Sequence, residues 1–310
     1  MNRTLTTSLA LAVSLLVARS AAADTRSWTA VKKVIGKSDS IVIGIDLTAL
    51  RGTASYKQGF QQLIAEEDEV KQVFATVKSE CGFDVMNVLS DVTIVMQRDG
   101  EKPLMAFGLD GIDEAKAVAC IGSVAGKMVG QAGVKLVGKK IGKITEYSIA
   151  GETEKLYAAW LAKDVLVFTE DVNDRKGLEK RLAGKGATGD LAKFIGRTST
   201  AAPFWFAVSA KERDNGRTIL GGHGRLELAG GVFKAAGAVV LAKAAEASSM
   251  AAEGKAGLGE VQKEMAAKLP ELGRAMATIT INAVGNEMTL SGSVSDKDLA
   301  VIVPQLDHLF

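Results

Sequence analysis

The sequence predicts an α+β protein built from two related halves, each an antiparallel sheet packed against amphipathic helices. Runs rich in β-branched and aromatic residues alternate with polar turns, and longer segments between them repeat apolar residues at helical spacing. In addition, the order strand, tight polar turn, strand and Asp or Ser helix start occurs twice, at 156–174 and at 277–298. Hairpins grouped beside helices are typical of the α+β class.

The N-terminal segment, residues 1–23, has the pattern of a secretory signal peptide. Arg3 supplies a positive start, residues 9–17 form an apolar run, and small residues lead to Ala23. This run is too short to span a bilayer as a permanent helix. We therefore expect cleavage between Ala23 and Asp24 and a periplasmic or secreted protein. The alternative, a buried amphipathic first helix, is disfavoured because no polar face interrupts the run.

The charge balance argues against nucleic acid as a binding partner. Removing residues 1–23 takes away Arg3 and Arg19, so 38 Lys and Arg become 36, against 36 Asp and Glu. A neutral chain lacks the basic surface that nucleic-acid binding requires. The cluster "VGKKIGK" (137–143) is interpreted as a solvated turn. No apolar stretch after residue 23 has membrane-spanning length, so no integral membrane segment is expected after signal cleavage.

The first half, residues 24–182, is predicted to follow the order strand, helix, hairpin, helix, three-stranded meander and helix. One helix of about six turns is expected from Tyr56 to Val77, because apolar residues recur there on one face. The other segments are 39–50 (strand), 91–111 (hairpin), 113–129 (helix), 143–151, 155–162 and 164–170 (meander), and 171–182 (helix).

Residues 183–203, rich in Gly, Ser and Thr, are interpreted as a linker region. The second half, residues 204–310, repeats part of the first order but lacks the long helix between its first two strands. Its segments are 203–210 (strand), 217–242 (hairpin), 243–269 (a helix interrupted at Gly254 and Gly257), 277–295 (hairpin) and 296–306 (helix).

The two cysteines, Cys81 and Cys120, suggest one disulfide in an exported protein. The bridge would close a loop of about 40 residues, and the chain-entropy model predicts that such a bridge stabilises the fold by about 4 kcal/mol at most. Two buried free thiols are the alternative. A metal site would need two further ligands, so neither a metal site nor a cofactor is predicted.

Residues that could form a ligand pocket or docking surface are mainly aromatic. Alternation along "FWF" (204–206) places Trp205 on the face opposite its neighbours, and glycines on both sides of His223 would let backbone approach a ligand closely. For the aromatic and aliphatic candidates, packing in the core is the alternative; for His223 it is a bend or bulge in a strand, with the histidine structural or solvated. The candidates are Trp160, Phe168, Trp205, Phe206, His223 and Leu241.

The chain resembles uncharacterised exported, duplicated α+β proteins of Gram-negative bacteria. The features that resemble them are the signal peptide, "SIVIGIDLTALRGT" (40–53) before an amphipathic helix, and "CGFDVMNVLSDVTIVM" (81–96) before a hairpin. This resemblance covers mainly the first half. It implies no known activity and no catalytic residues.

Three functional hypotheses follow. The first is an exported, non-enzymatic protein that binds or interacts with an unidentified protein partner, since no G-x-S-x-G turn is present and histidine is scarce. The second is a periplasmic carrier that holds an apolar small molecule between sheet and helices. The third is a hydrolase that uses two carboxylates, which meet only in the folded chain. No catalytic residue is assigned.

Overall fold

The computed structural model describes residues 23–66, 68–98, 103–128, 135–149 and 153–308. Within these ranges the strands are β1 Asp39–Asp46, β2 Leu89–Gln97, β3 Leu104–Leu109, β4 Leu136–Ile141, β5 Ile144–Ile149, β6 Lys155–Ala162, β7 Val165–Thr169, β8 Phe204–Asp214, β9 Arg217–Ala229, β10 Val232–Leu241, β11 Thr280–Val284 and β12 Glu287–Ser295.

The helices in the same ranges vary from one turn to seven. They are α1 Arg26–Val31, α2 Leu47–Leu50, α3 Ala54–Glu66, α4 Asp68–Cys81, α5 Val85–Val88, α6 Glu114–Met128, α7 Arg175–Leu182, α8 Gly189–Ile195, α9 Ala244–Lys268, α10 Pro270–Ala277 and α11 Asp296–Ile302, followed by a 3-10 helix at Val303–His308. None of the helices in the described ranges has the length and apolar character needed to cross a membrane.

The strands of the described ranges form one antiparallel sheet, which confirms the prediction of an α+β fold. Its order is β11-β12-β10-β9-β8-β1-β2-β3-β7-β6-β5-β4. The strands of the first half continue into those of the second through β1 and β8, which pair antiparallel from Ile41 with Val208 to Ile45 with Phe204. The sheet is therefore continuous across both halves.

Local sequence signals explain several boundaries. The β8–β9 turn uses Asn215 and Gly216, both with positive φ, as a two-residue hairpin turn requires. Helix α7 begins after Asp174, whose carboxylate accepts a hydrogen bond from Gly177 N at 2.9 Å. Helix α11 begins after Ser295, whose hydroxyl accepts from Asp298 N at 3.0 Å. The two predicted strand–turn–strand–helix segments thus end in the expected helix caps.

One face of the sheet carries the main hydrophobic core. Val42, Val95 and Ala207 lie on paired positions of β1, β2 and β8 and are fully buried. Trp205 belongs to the same face, and its ring meets that of Trp28 from α1 edge-on at 4.8 Å between centroids. Helices α1, α7 and α8 contribute further core residues. We call this side the core face.

The structure differs from the sequence predictions at strand β4 and at helix α9. The cluster at 137–143 is solvent-exposed as expected, but strand β4 spans most of it, so the meander has four strands. A glycine and two consecutive lysines give β4 the composition of a loop, and its partner strand is unknown from the sequence. The helix expected from Tyr56 to Val77 corresponds to α3 and α4, which lie on either side of Glu67, a residue outside the described ranges. Helix α9 runs without the interruption expected at its glycines.

Five short helices of the described ranges were not predicted: α1, α2, α5, α8 and α10. Of these, α2 lies at the end of the segment 39–50, which was predicted to be a strand. Helix α1 supplies Trp28 to the core, and α8 lies inside the segment 183–203, where Leu191 and Phe194 are buried in the core. Each has few turns, so its apolar residues give little periodic signal, and both are stabilised mainly by packing on the sheet.

Candidate functional site

An apolar groove of about 460 Å³ lies on the sheet face opposite the core. It crosses β8, β9, β10 and β12, and apolar atoms form almost all of its surface. The side chains that form its walls are Phe204, Phe206, Leu226, Val239, Met288 and Leu290.

The aromatic wall of the groove comes from β8. Phe204 and Phe206 are two residues apart, so both project from the same face, and their ring centroids are 6.4 Å apart. They pair with Leu226 and Gly224 of β9. Because Phe206 pairs with a glycine, its ring lies over bare backbone, which leaves room beside it.

Glycines form the floor of the groove. A Cβ atom at Gly224 would lie 2.6 Å from the Phe206 ring, and one at Gly237 would lie 2.8 Å from the carbonyl oxygen of His223. Gly222 is similar, with the Ala238 carbonyl oxygen at 2.8 Å from a Cβ atom. Side chains at these positions would fill the groove or displace a neighbouring strand, so its depth depends on glycine.

The opposite wall comes from β12. Leu290 pairs with Gly237 and Met288 pairs with Val239, so both side chains share the face of the groove. Leu290 is 40% exposed, which is unusual for a leucine in a sheet between two strands. Helix α9 lies beside this wall, because a Cβ atom at Gly254 would be 3.2 Å from Ile281 Cδ1 and 4.0 Å from Met288 Sδ.

His223 pairs with Ala207 and Ala238, so its side chain belongs to the core face and its backbone to the groove floor. Nε2 is buried and has no hydrogen-bond partner among the described residues. Burial lowers the pKa of His223, and Arg197 and Arg225 act in the same direction, while Glu287 opposes them. The imidazole is therefore held neutral near pH 7.

Two other predicted residues lie in the core. Trp205 and Leu241 are both 0% exposed. The indole of Trp205 lies over Gly44, where a Cβ atom would be 2.2 Å from Nε1. Neither side chain reaches the groove, because strand alternation directs Trp205 to the face opposite Phe204 and Phe206.

Trp160 and Phe168 line a second, smaller apolar pocket of about 150 Å³ between α6 and strands β5–β7. Phe168 stacks on Phe107 with 5.1 Å between ring centroids. Trp160 donates a hydrogen bond through Nε1 to Tyr147 Oη at 2.9 Å. The structure thus distributes the predicted site residues over a groove, a small pocket and the core, and brings only some of them together.

A polar cleft of about 590 Å³ adjoins the small pocket and shares Tyr147 and Trp160 with it. Glu114 Oε1 accepts hydrogen bonds from Thr145 Oγ1 at 2.9 Å and Tyr147 Oη at 3.0 Å, and Oε2 accepts from Lys140 Nζ at 2.8 Å. Burial acts to raise the pKa of Glu114, but these hydrogen bonds outweigh it and lower the pKa. Burial raises the pKa of Tyr147 to about 12.

Cys81 and Cys120 are at disulfide distance, as predicted, with 5.1 Å between their Cα atoms. Cys81 ends α4 and Cys120 lies in α6, so the bridge joins two helices. Among the described residues, no three His, Cys, Asp or Glu side chains converge in a way that could hold a metal ion.

The sequence identified the glycines beside His223 as a place where backbone could approach a ligand, but it did not identify Gly237 or the Met288–Leu290 wall. A signal for the floor was present: glycines at 222 and 224 alternate along one strand face, and Gly237 follows in the next strand. Which strand contributes the opposite wall could not be read from local sequence, because β12 joins β10 across the intervening helices.

No protein-family model matches the chain, and a search of curated proteins found no match. Among solved structures it is similar to crystal forms of TP0453 from Treponema pallidum. For crystal form III the TM-score is 0.46 at 10% identity, covering 89% of this chain and 98% of that chain. For crystal form IV the TM-score is 0.44 at 10% identity, covering 90% and 99%. For crystal form I it is 0.41 at 9% identity, covering 89% and 97%.

Proposed function

We propose that this chain is an exported, non-enzymatic binding protein that carries an apolar small molecule in the groove on its sheet. The observation that carries the proposal is the groove itself: an open cavity whose walls and floor are almost entirely apolar. Its volume of about 460 Å³ lies within the range of roughly 300–1,000 Å³ typical of small-molecule sites.

The chemistry of the walls defines what the groove can bind. Phe204, Phe206 and Leu290 offer surface that water solvates poorly, and each Å² of apolar area removed from water contributes roughly 25 cal/mol. The part of the ligand that enters must itself be apolar, because a charged group there would lose its hydration without gaining a partner.

Export is part of the proposal. Residues 1–22, which carry most of the signal pattern, lie outside the described residues. What supports cleavage before Asp24 is that this residue is held in place: its carboxylate accepts hydrogen bonds from Lys32 Nζ at 2.8 Å and Thr200 Oγ1 at 2.6 Å. The Cys81–Cys120 pair is consistent with an oxidising compartment, periplasmic or extracellular.

Internal duplication, as in exported duplicated α+β proteins, is a further part of the proposal. In the first half β1, β2 and β3 are adjacent, and after a helix the chain returns so that β7 pairs with β3. In the second half β8, β9 and β10 are adjacent, and after α9 and α10 the chain returns so that β12 pairs with β10. The two first strands, β1 and β8, meet antiparallel in the sheet, as an approximate two-fold relation would require.

A carboxylate-based hydrolase is the less supported alternative. Asp113 and Glu114 both line the polar cleft, but a general acid needs a carboxyl whose pKa is raised. The lowered pKa of Glu114 favours its role as an ionised hydrogen-bond acceptor that holds α6 on β5.

The first experiment is native mass spectrometry of the protein purified from its own exported fraction, with a denatured run beside it. The denatured mass reports cleavage before Asp24 and the loss of two hydrogens at the disulfide. A reproducible non-covalent adduct in the native run is expected, and its mass gives the ligand class. A bare chain mass would instead favour a protein partner on this surface.

A variant pair locates the site. Leu290→Lys places a charge on the groove wall at an already exposed position and is expected to weaken binding of an environment-sensitive naphthylamine dye about tenfold or more. Val284→Lys, on β11 of the same hairpin and 63% exposed, is the matched control. Equal dye affinity for Leu290→Lys and the wild type would show that the groove is not the binding site.

A further inference from the structure

A row of directly paired side chains continues from the groove across the middle of the sheet. Phe206 pairs with Ile43, Ile43 with Ile94, Ile94 with Met105, and Met105 with Phe168. Directly opposed residues of antiparallel strands share a face, so all five side chains lie on the side of the groove. The row begins at the aromatic wall and ends in the small pocket beneath α6.

A second row runs parallel to the first, on the same face. Phe204 pairs with Ile45, Ile45 with Val92, Val92 with Phe107, and Phe107 with Leu166. Leu166 and its own partner Trp160 line the small pocket. The ten residues of the two rows, Phe206 to Phe168 and Phe204 to Leu166, are here called the apolar strip. All ten are apolar.

The strip is half-buried, whereas its neighbours on the core face are fully buried. Ile43 and Ile94 retain accessible surface, while Val42 and Val95, adjacent to them along the same strands, are 0% exposed. The difference does not come from strand position, because the residues alternate along β1 and β2. It comes from the helices on the strip's side, which cover this face less completely than α1, α7 and α8 cover the other.

Helices α3 and α4 pack mainly on other helices. Helix α3 contacts α11 and the 3-10 helix, and α4 contacts α6 and is bonded to it through Cys81–Cys120. Helix α6 rests on β4 and closes the small pocket with Ala117, Val118 and Ile121. Helix α6 therefore covers the end of the strip at the small pocket.

We propose that the groove, the apolar strip and the small pocket form one elongated binding site, and that its ligand is a molecule with a single long hydrocarbon chain. This inference rests on the proposed function and names the ligand class for the same groove. The chain would enter at the groove, follow the strip across the strands, and place its end in the small pocket.

The dimensions and the charge distribution favour this occupant. From Gly224 of β9 to Phe168 of β7 the path crosses five strand-to-strand steps, roughly 24 Å at about 4.8 Å a step. A compact apolar molecule would fill the groove and leave the strip unused. No side chain of the strip contains nitrogen or oxygen, so the strip suits hydrocarbon along its whole length.

The test compares octanol with hexadecanol, supplied from cyclodextrin, as competitors of the naphthylamine dye. Ile94→Gln puts a polar amide halfway along the strip and is expected to weaken hexadecanol about tenfold while leaving octanol unchanged. Ile94→Leu, the matched apolar variant, is expected to retain hexadecanol affinity. Longer alcohols bind any apolar surface more tightly, so tighter binding of hexadecanol alone does not show an elongated site. The informative result is that Ile94→Gln weakens hexadecanol binding and leaves octanol binding unchanged.

A second measurement needs no variant. Hexadecanol with a diazirine at its terminal carbon is photolysed on the wild-type protein, and the labelled peptides are mapped. Labelling of β3, β7 or α6 is expected. Labelling confined to β8–β12, or equal losses of both alcohols in Ile94→Gln, would overturn the elongated site and leave the groove intact. Failure of both alcohols to displace the dye from the wild-type protein would count against the proposed function itself.

Discussion

The two faces of this sheet show that apolar composition and burial are separate properties. The core face contains buried polar groups, and some of them are paired: Asp91 accepts hydrogen bonds from Ser27 N at 2.7 Å and Ser90 Oγ at 2.6 Å. The opposite face is purely apolar along the strip, yet it stays half-buried. A fully covered face can tolerate paired polar groups, whereas an apolar face left partly open costs stability and is a reason to look for a ligand.

The largest expected effect is a difference in stability between alanine variants of two adjacent residues of β8, Trp205 and Phe206. Trp205→Ala removes a fully buried indole and is expected to lower the free energy of unfolding by about 4 kcal/mol. Phe206→Ala removes a half-buried ring and is expected to cost about 1–2 kcal/mol while abolishing dye binding. Urea unfolding of both variants measures the difference. Equal losses of stability would mean that the two faces are equivalent for packing.

The buried ion pair on the core side gives a second test. Arg181 and Asp39 are 7% and 2% exposed and pair through Nη1 and Oδ1, while Arg181 Nη2 donates to the Val95 carbonyl oxygen at 2.7 Å. Asp39→Ala leaves a buried guanidinium without its carboxylate, so a loss of about 3–4 kcal/mol is expected. The double variant Asp39→Ala with Arg181→Met is expected to recover much of this loss, as measured by urea unfolding. No recovery would contradict the explanation by unpaired charge.

The Cys81–Cys120 disulfide tests whether the side of the sheet that carries the strip can lose stability separately from the core face. Replacing Cys81 and Cys120 by serine is expected to cost about 2–4 kcal/mol, because the bridge closes a loop with a sequence separation of 39. Faster amide hydrogen exchange is expected in α6 but not in α7, which packs on the core face. Hydrogen exchange with mass spectrometry reports both helices. Equal acceleration in α6 and α7 would show that the bridge stabilises the whole fold rather than one side.

The smallest effect concerns pH. The pKa of Glu114 lies below its ordinary value of 4.5 in the folded chain, so the ionised form stabilises the fold above that pH. This contribution is lost as pH falls through the folded-state pKa. Glu114→Gln is expected to flatten the fall of the unfolding midpoint between about pH 5 and pH 3 relative to the wild type. Parallel curves would exclude Glu114 as a source of acid sensitivity.

Sequence patterns identified the long helix α9 and the hairpins of the second half with their turns. Such elements carry their own signal: a glycine or asparagine at a turn, a Ser or Asp at a helix start, or a face of apolar residues. The short helices α1 and α8 and the edge strand β4 were missed, since each is defined by what it packs against. The cysteine pair was identified because the two residues are the only cysteines in the sequence.

The site was predicted in part. Phe206 and His223 were named as candidates, and they contribute a wall and the backbone floor of the groove. Trp205 and Leu241 were named with them, but alternation and helix packing place both in the core. An aromatic residue in a strand gives the same local signal on either face, and only the covering helices decide which face is closed.

The sequence by itself determined the fold class, the antiparallel hairpins, the neutral charge after residue 23 and the pairing candidates for the disulfide. Each depends on composition or on residues close together in the chain. Tertiary structure alone decided that β1 and β8 join both halves into one sheet, and that Phe206, Ile43, Ile94, Met105 and Phe168 fall into one row. Within a hairpin the turn fixes the register, but the register between strands far apart in the sequence depends on which strands meet, and no local pattern contains that information.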